Sequence, residues 1–140
     1  MRTASISVEF TTGGNDEVVN LTQDVLNAVE KAKLREGLVT VFATGSTAAV
    51  TTIEYETGLE ADIKTFLRDI VPAGDWRHNA TWGDGNGHSH IRASLIGPSL
   101  TIPVTDGKPV LGTWQQVVYI DNDIRSRSRR VIIQLTGDAE

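Results

Sequence analysis

The segment SISVEF places Ile6, Val8 and Phe10 at every second position, with polar residues between them. A period of two buries one face of an extended strand and leaves the other wet, so this chain needs a sheet and an apolar layer to set against it. LVTVFAT is β-branched and aromatic and fits a buried strand. AAVTTIEYE, beyond the turn residues Thr44, Gly45 and Ser46, fits another. HIRASLI, SLTIPV, the stretch from Val110 to Ile120 and VIIQLTG carry the same patterning, with Gly97, Pro98 and the pair Asp106, Gly107 as turns.

In two stretches the period changes. After the turn TTGGND, the residues Leu21, Val25, Ala28, Val29 and Ala32 recur at helical spacing, and Gly37 is the expected stop. Leu59, Ile63, Phe66, Leu67 and Ile70 form a second amphipathic helix, closed by Pro72 and Gly74. Two helices among six or seven strands predict an α+β single domain over residues 1–140, a mostly antiparallel or mixed sheet with the two helices packed on it. Pro72 to Gly87 reads as one long glycine-rich loop, and long ordered loops are often functional.

A chain of 140 residues can bury roughly two thirds of its unfolded surface, enough for a real core. It contains no apolar run of the length a transmembrane helix needs, and MRTASISVEF lacks the apolar region of a secretory signal, so no membrane association and a cytoplasmic location are expected. With no cysteine, a zinc site would have to use histidines and carboxylates. The net charge of -5 gives no global attraction for nucleic acid, although Arg125, Arg127, Arg129 and Arg130 form a local basic cluster. No nucleic-acid partner is expected.

All three histidines fall in HNATWGDGNGHSH. If HIRASLI is a strand, His88 and His90 project to one face, and His78 can fold back across the glycines to join them. Three ring nitrogens would then hold a divalent metal, zinc by preference, with a position left open for water or substrate. Asp84 and Asn86 would orient the imidazoles, and Glu54 is a further acid within the candidate set. The plainer reading is a loop of turn-forming Asp-Gly and Asn-Gly pairs carrying solvated histidines. GDGNG does not match a P-loop or a dinucleotide fingerprint. The turn formed by Thr44, Gly45, Ser46 and Thr47 offers amides and hydroxyls to an anion, and Arg125 and Arg127 offer charge-assisted hydrogen bonds. Both groups can equally be structural. Gln115 and Gln116 are adjacent in a predicted strand and face opposite sides; Trp114 reads as core.

The chain resembles the YjbQ-like proteins, a family associated with a secondary thiamine-phosphate synthase activity. The resemblance rests on STAAVTTIE, DIVP, HNATWGDGNGHSHIRASLIGPSLTIPV, LGTWQQVVYID with its arginine-rich turn, and RRVIIQLTGD, which cover nearly the whole chain in order. It implies an α+β fold assembled as a homotrimer, a histidine-containing polar site near a subunit boundary, and a metal, usually zinc, held at positions matching His78 and His90. Many relatives carry a further histidine where this chain has Gly45, and His88 is the expected replacement ligand.

The activity so implied joins a pyrimidine pyrophosphate to a thiazole phosphate with loss of pyrophosphate. Magnesium is an alternative cation for that chemistry. The expected roles are metal ligation by His78, His88 and His90; acid–base work or ligand support by Glu54 and Asp84; and phosphate contact by Ser46, Thr47, Asn86, Gln115, Arg125 and Arg127. The alternative is a non-catalytic trimeric module that binds a metal or a phosphorylated metabolite.

Overall fold

A computed structural model describes residues 1–140. The alternation that opens the chain becomes β1 (Arg2–Thr12), with Ile6, Val8 and Phe10 turned toward the core and Ser5, Ser7 and Glu9 toward solvent. It is followed by β2 (Glu17–Asn20), α1 (Thr22–Ala32), β3 (Leu34–Ala43), β4 (Ala48–Ile53) and α2 (Thr57–Ile70). Then come α3 (Arg77–Trp82), α4 (Gly87–Ile96), β5 (Ser99–Thr105), β6 (Lys108–Pro109), β7 (Gln116–Asp121) and β8 (Arg127–Ala139).

The strands form two antiparallel sheets, one in the order β1-β8-β3-β5-β6 and a smaller one in the order β2-β7-β4. An α+β architecture is what the mixed periodicities predict. Core residues from β3, β5, β7 and β8, with α1, form one cluster that includes Val39, Val41, Ile102, Val117, Tyr119 and Ile133. Tyr119 meets Phe10 edge to face at 5.0 Å between ring centroids, and burial raises the Tyr119 phenol to about 12. On the other face of the small sheet, Val118 and Ile120 pack with Ile63 of α2 and Ile96 of α4. The strand β7 is therefore buried on both faces, which is why VVYI is continuously apolar rather than alternating.

Several expectations are corrected. The first helix stops at Ala32, where Lys33 takes a left-handed cap with φ 53°; Gly37 instead lies within β3, facing Gly137 so closely that an added Cβ would stand 2.1 Å from the Thr136 carbonyl oxygen. The predicted loop from Pro72 to Gly87 contains α3. HIRASLI is not a strand but most of α4. Trp114 is 72% exposed rather than core, because the strand expected from Val110 begins only at Gln116.

Candidate functional site

The site is assembled where the turn after β3, the α3–α4 segment and the β7–β8 turn meet. Asn79 ties the helical segment together: its Nδ2 donates to the Gly74 carbonyl at 2.7 Å, and its Oδ1 accepts from the Gly87 amide at 2.8 Å. Gly87 has to be glycine there, since a Cβ would stand 2.6 Å from the Trp76 Cβ. This packing sets His78 on α3 against His90 on α4, with ring centroids 4.3 Å apart and a tilt of 53°.

Beneath the two imidazoles lies a buried polar layer. Arg129 binds Asp121 in a bidentate manner, at 2.7 Å through both Nε and Nη2, and reaches Thr47 Oγ1 at 3.2 Å and Asp123 at 3.4 Å. Thr12 Oγ1 also donates to Asp121. Asp121 and Asp123 are almost fully buried, and an unpaired carboxylate there would be costly, so the arginine is what makes the layer tenable. Burial works against charge on Asp123. Donation from the Ile124 amide, Asn86 and Thr47, together with the Arg127 guanidinium, outweighs it and holds the carboxyl below its usual range. A second buried pair, Arg92 to Asp16 at 2.7 Å, stands beside it and is joined by Asn122 Nδ2 to Asp16 at 2.8 Å.

Above this layer opens a cavity of about 460 Å³. The turn from Thr44 to Thr47, the His78–His90 pair, Asp84 with Asn86, and Arg127 line it, and Trp82 is its single apolar wall. The backbone N–H groups of Ser46 and Thr47 donate to no group of the protein. Arg127 uses Nε toward Asp123 at 3.1 Å and remains about half exposed.

Asn86 lies between two carboxylates. With Oδ1 toward His78 Nε2 at 3.1 Å, its Nδ2 donates to Asp123 at 3.3 Å. With the amide turned over, the nitrogen donates to His78 Nε2 at 3.1 Å and to Asp84 at 2.9 Å, leaving Asp123 to its other donors. The turned amide removes the oxygen–oxygen approach to Asp84 and makes His78 Nε2 an acceptor, but it sets Oδ1 3.3 Å from Asp123 Oδ1 in place of the donor there, so each orientation satisfies one carboxylate and faces the other.

The expected three-histidine site is not assembled. On a helix, positions two apart are rotated about 200° from one another, so His88 and His90 project to nearly opposite sides of α4. His88 is buried beside Arg92 and Asp16, with Nδ1 unpartnered; burial first, and then the Arg92 charge, lowers its pKa. His90 is also lowered, by burial and then by His78. No group of three or more His, Asp or Glu side chains stands in metal-holding geometry. The nearest set is the two imidazoles and Asp84, whose Oδ1 is 3.8 Å from His78 Nε2; catalytic zinc sites use such a trio, but these three side chains do not converge on one point in holding geometry. As arranged in this chain, the residues do not fit the ion.

Of the other expected residues, Ser46, Thr47, Asp84, Asn86 and Arg127 line the cavity. Glu54, exposed just past β4, Arg125, exposed on the β7–β8 turn, and Gln115 do not. Gln115 accepts from the Gly112 amide and donates to Thr52 instead. Asp123, Arg129 and Trp82 also line the cavity, and no motif assigned them a place in the site. The available signal was the acid pair ending VVYIDND, because charge that continues a fully buried strand requires a buried partner.

The model of the family described as UPF0047 protein YjbQ-like matches residues 6–138. A UPF0047 protein of Methanocaldococcus jannaschii is 33% identical over 131 residues, covering 93% of this chain and 92% of its own length. One from Archaeoglobus fulgidus is 38% identical over 119 residues, 84% of this chain and 90% of its own. Among solved structures, a YbjQ-like protein of unknown function from Sulfolobus solfataricus P2 superposes with a TM-score of 0.88 at 30% identity, over 98% of this chain and 100% of that one. A hypothetical protein from Aeropyrum pernix K1 gives 0.87 at 34% identity, over 99% and 100%. Sequence and fold thus agree over almost the entire length, and the chain belongs to the UPF0047, YjbQ-like family.

Proposed function

We propose that the cavity binds a phosphorylated small molecule and acts on it, with the His78–His90 pair handling the proton. The observation that carries this reading is the turn at Ser46 and Thr47: both residues line the same cavity as Arg127 and the two imidazoles, and neither backbone N–H has a partner within the protein. Adjacent main-chain N–H groups form a ready anion cradle, and the terminal nitrogens of a half-exposed guanidinium add charge-assisted donors. His90, lowered by burial, is neutral near pH 7 and can accept a proton; the pair can return it to a leaving oxygen.

The finer reading follows the family's associated activity, a thiamine-phosphate synthase-like transfer. There the C–O bond of a pyrimidine pyrophosphate breaks, pyrophosphate departs, and the ring nitrogen of a thiazole phosphate bonds to the freed carbon. Arg127 and the amides would neutralise the departing pyrophosphate, the dominant electrostatic demand of such a step. A second reading, a non-catalytic binding module, is favoured by the full engagement of Asp121, Asp123 and Arg129 with one another, which leaves Asp84 as the one carboxylate in the cavity without a buried arginine partner. We place the active form in a homotrimer, consistent with Leu38 and Phe42 standing half exposed on the large sheet.

Titration of the ¹⁵N-labelled protein with inorganic phosphate tests the binding. The Ser46 and Thr47 amide signals should shift, and Arg127→Ala should weaken binding tenfold or more, the scale of one charge-assisted hydrogen bond at about 1.5–3 kcal/mol. Unmoved Ser46 and Thr47 signals would refute the reading. Release of pyrophosphate from the paired pyrimidine and thiazole substrates, lost in His90→Gln, separates the enzyme from the module.

A further inference from the structure

Anion binding leaves two members of the polar cavity without a task, the Asp84 carboxylate and the Trp82 indole. At about 460 Å³ the cavity has the size of a small-molecule pocket, more than a bare phosphate fills, so a ligand held at Ser46 and Thr47 has room to extend.

Asp84 is out of place in a site for phosphate alone. Its carboxylate repels an anion, no lysine or arginine pairs with it, and its one ion-pair distance is 3.8 Å to His78 Nε2. A carboxylate accepts at about four lone-pair positions. Asn86, in the orientation that serves Asp84, brings a single nitrogen to 2.9 and 3.2 Å from the two oxygens. Positions remain for a further donor, and the side chain, 37% exposed, lines the cavity. That donor belongs to the organic part of the ligand, since the phosphate itself is repelled.

A hydroxyl fits the rest of the cavity better than an ammonium. The Ser46 and Thr47 amides and Arg127 are donors in want of acceptors, and a hydroxyl both donates and accepts, whereas an ammonium only donates. Arg127 also opposes a second cation in the same space. Trp82 is 74% exposed, so most of its ring surface is open rather than packed against the protein. The C–H face of a hydroxylated carbon chain can lie on such a ring while its hydroxyls reach the polar walls.

We propose that the polar cavity takes a phosphorylated polyol, with its phosphate at Ser46, Thr47 and Arg127, neighbouring hydroxyls on Asp84, and its carbon chain against Trp82. The inference rests on the anion reading and names the organic part of the ligand. Adjacent hydroxyls are a demand that transfer to a thiazole phosphate does not make, so the two are separable.

The test is calorimetric titration of the full-length protein with inorganic phosphate, n-propyl phosphate, sn-glycerol 3-phosphate and phosphoethanolamine. Glycerol 3-phosphate is propyl phosphate with two added hydroxyls, and it should bind about tenfold more tightly, equivalent to 1.4 kcal/mol. In Asp84→Ala that preference should vanish while propyl phosphate binds at least as tightly as before, because the repelling charge is gone; damage to the fold would weaken both. Trp82→Ala should weaken glycerol 3-phosphate more than inorganic phosphate. Equal affinities for glycerol 3-phosphate and propyl phosphate in the unaltered protein would overturn the proposal and leave the anion reading standing. So would a preference for phosphoethanolamine, which would make Asp84 an ammonium site. Failure of all four to bind would remove both readings together.

Discussion

His78 and His90 lie twelve positions apart in the chain, on separate helices, yet their ring centroids stand 4.3 Å apart. Two imidazoles that close do not hold two protons easily, because the second charge is repelled by the first. Replacing His78 with Asn should therefore raise the pKa of His90, since the His78 charge is the second-largest cause of its lowering after burial. An NMR titration of His90 reads this directly. A His90 pKa unchanged in the variant would show that the pair is not electrostatically coupled.

Arg129 is the only cation that pairs with both Asp121 and Asp123. Arg129→Met should cost about 3–5 kcal/mol, the range for removing one partner from a buried ion pair. Arg129→Lys should recover part of that, since lysine restores the charge but not the bidentate fork. Thermal or urea unfolding measures both, and a loss below about 1 kcal/mol for Arg129→Met would contradict the arrangement.

Gly87→Ala introduces a Cβ 2.6 Å from the Trp76 Cβ and 2.9 Å from Asn79 Oδ1. Either the indole moves or the bond from Gly87 to Asn79 is lost. The expected cost is about 1–3 kcal/mol, as for overpacking in a filled interior, and phosphate binding should weaken because His78 and His90 are positioned by the same packing. A variant as stable as the parent, with unshifted His78 and His90 signals, would show that this contact does not position the pair.

Acid should destabilise the protein in two stages. His88 and His90 have folded-state pKa values below 6.5, so as pH falls past 6.5 the unfolded chain takes up protons that the folded chain still refuses. Stability from these groups is complete above pH 6.5 and declines beneath it. Asp123 is lowered from 3.8, so a second loss begins as pH falls through the ordinary carboxylate range toward its folded value. Urea midpoints between about pH 7.5 and about pH 5 test the first stage. Equal midpoints across that range would show that neither histidine contributes.

Local periodicity decided the elements that present one face to the core: β1 through Ile6, Val8 and Phe10, α1 through Val25, Ala28 and Val29, and α2 through Leu59, Ile63 and Leu67. Such patterns are visible in sequence because burying one face imposes the repeat. The segment HSHIRASLI defeats that logic. As α4 it buries Arg92 and His88 along with Ala93 and exposes Ile91 and Leu95, so its apolar residues trace no single stripe, and their local alternation imitates a strand.

Composition and motifs also marked much of the candidate site, including His78, His90, Asp84, Asn86, Ser46, Thr47 and Arg127. Which histidines meet was decided only by the helix, which turns His88 away toward Arg92 and brings His90 to His78. The partnership of Arg129 with Asp121 and Asp123 likewise forms only in the fold. These residues are close in sequence, but only the burial of β7 on both faces and the packing of Thr12 and Thr47 against its end create the dry surroundings in which their charges must pair. Periodicity is a local property that a chain carries openly, whereas burial of charge is a property of the whole packed molecule, and the site is built from the second.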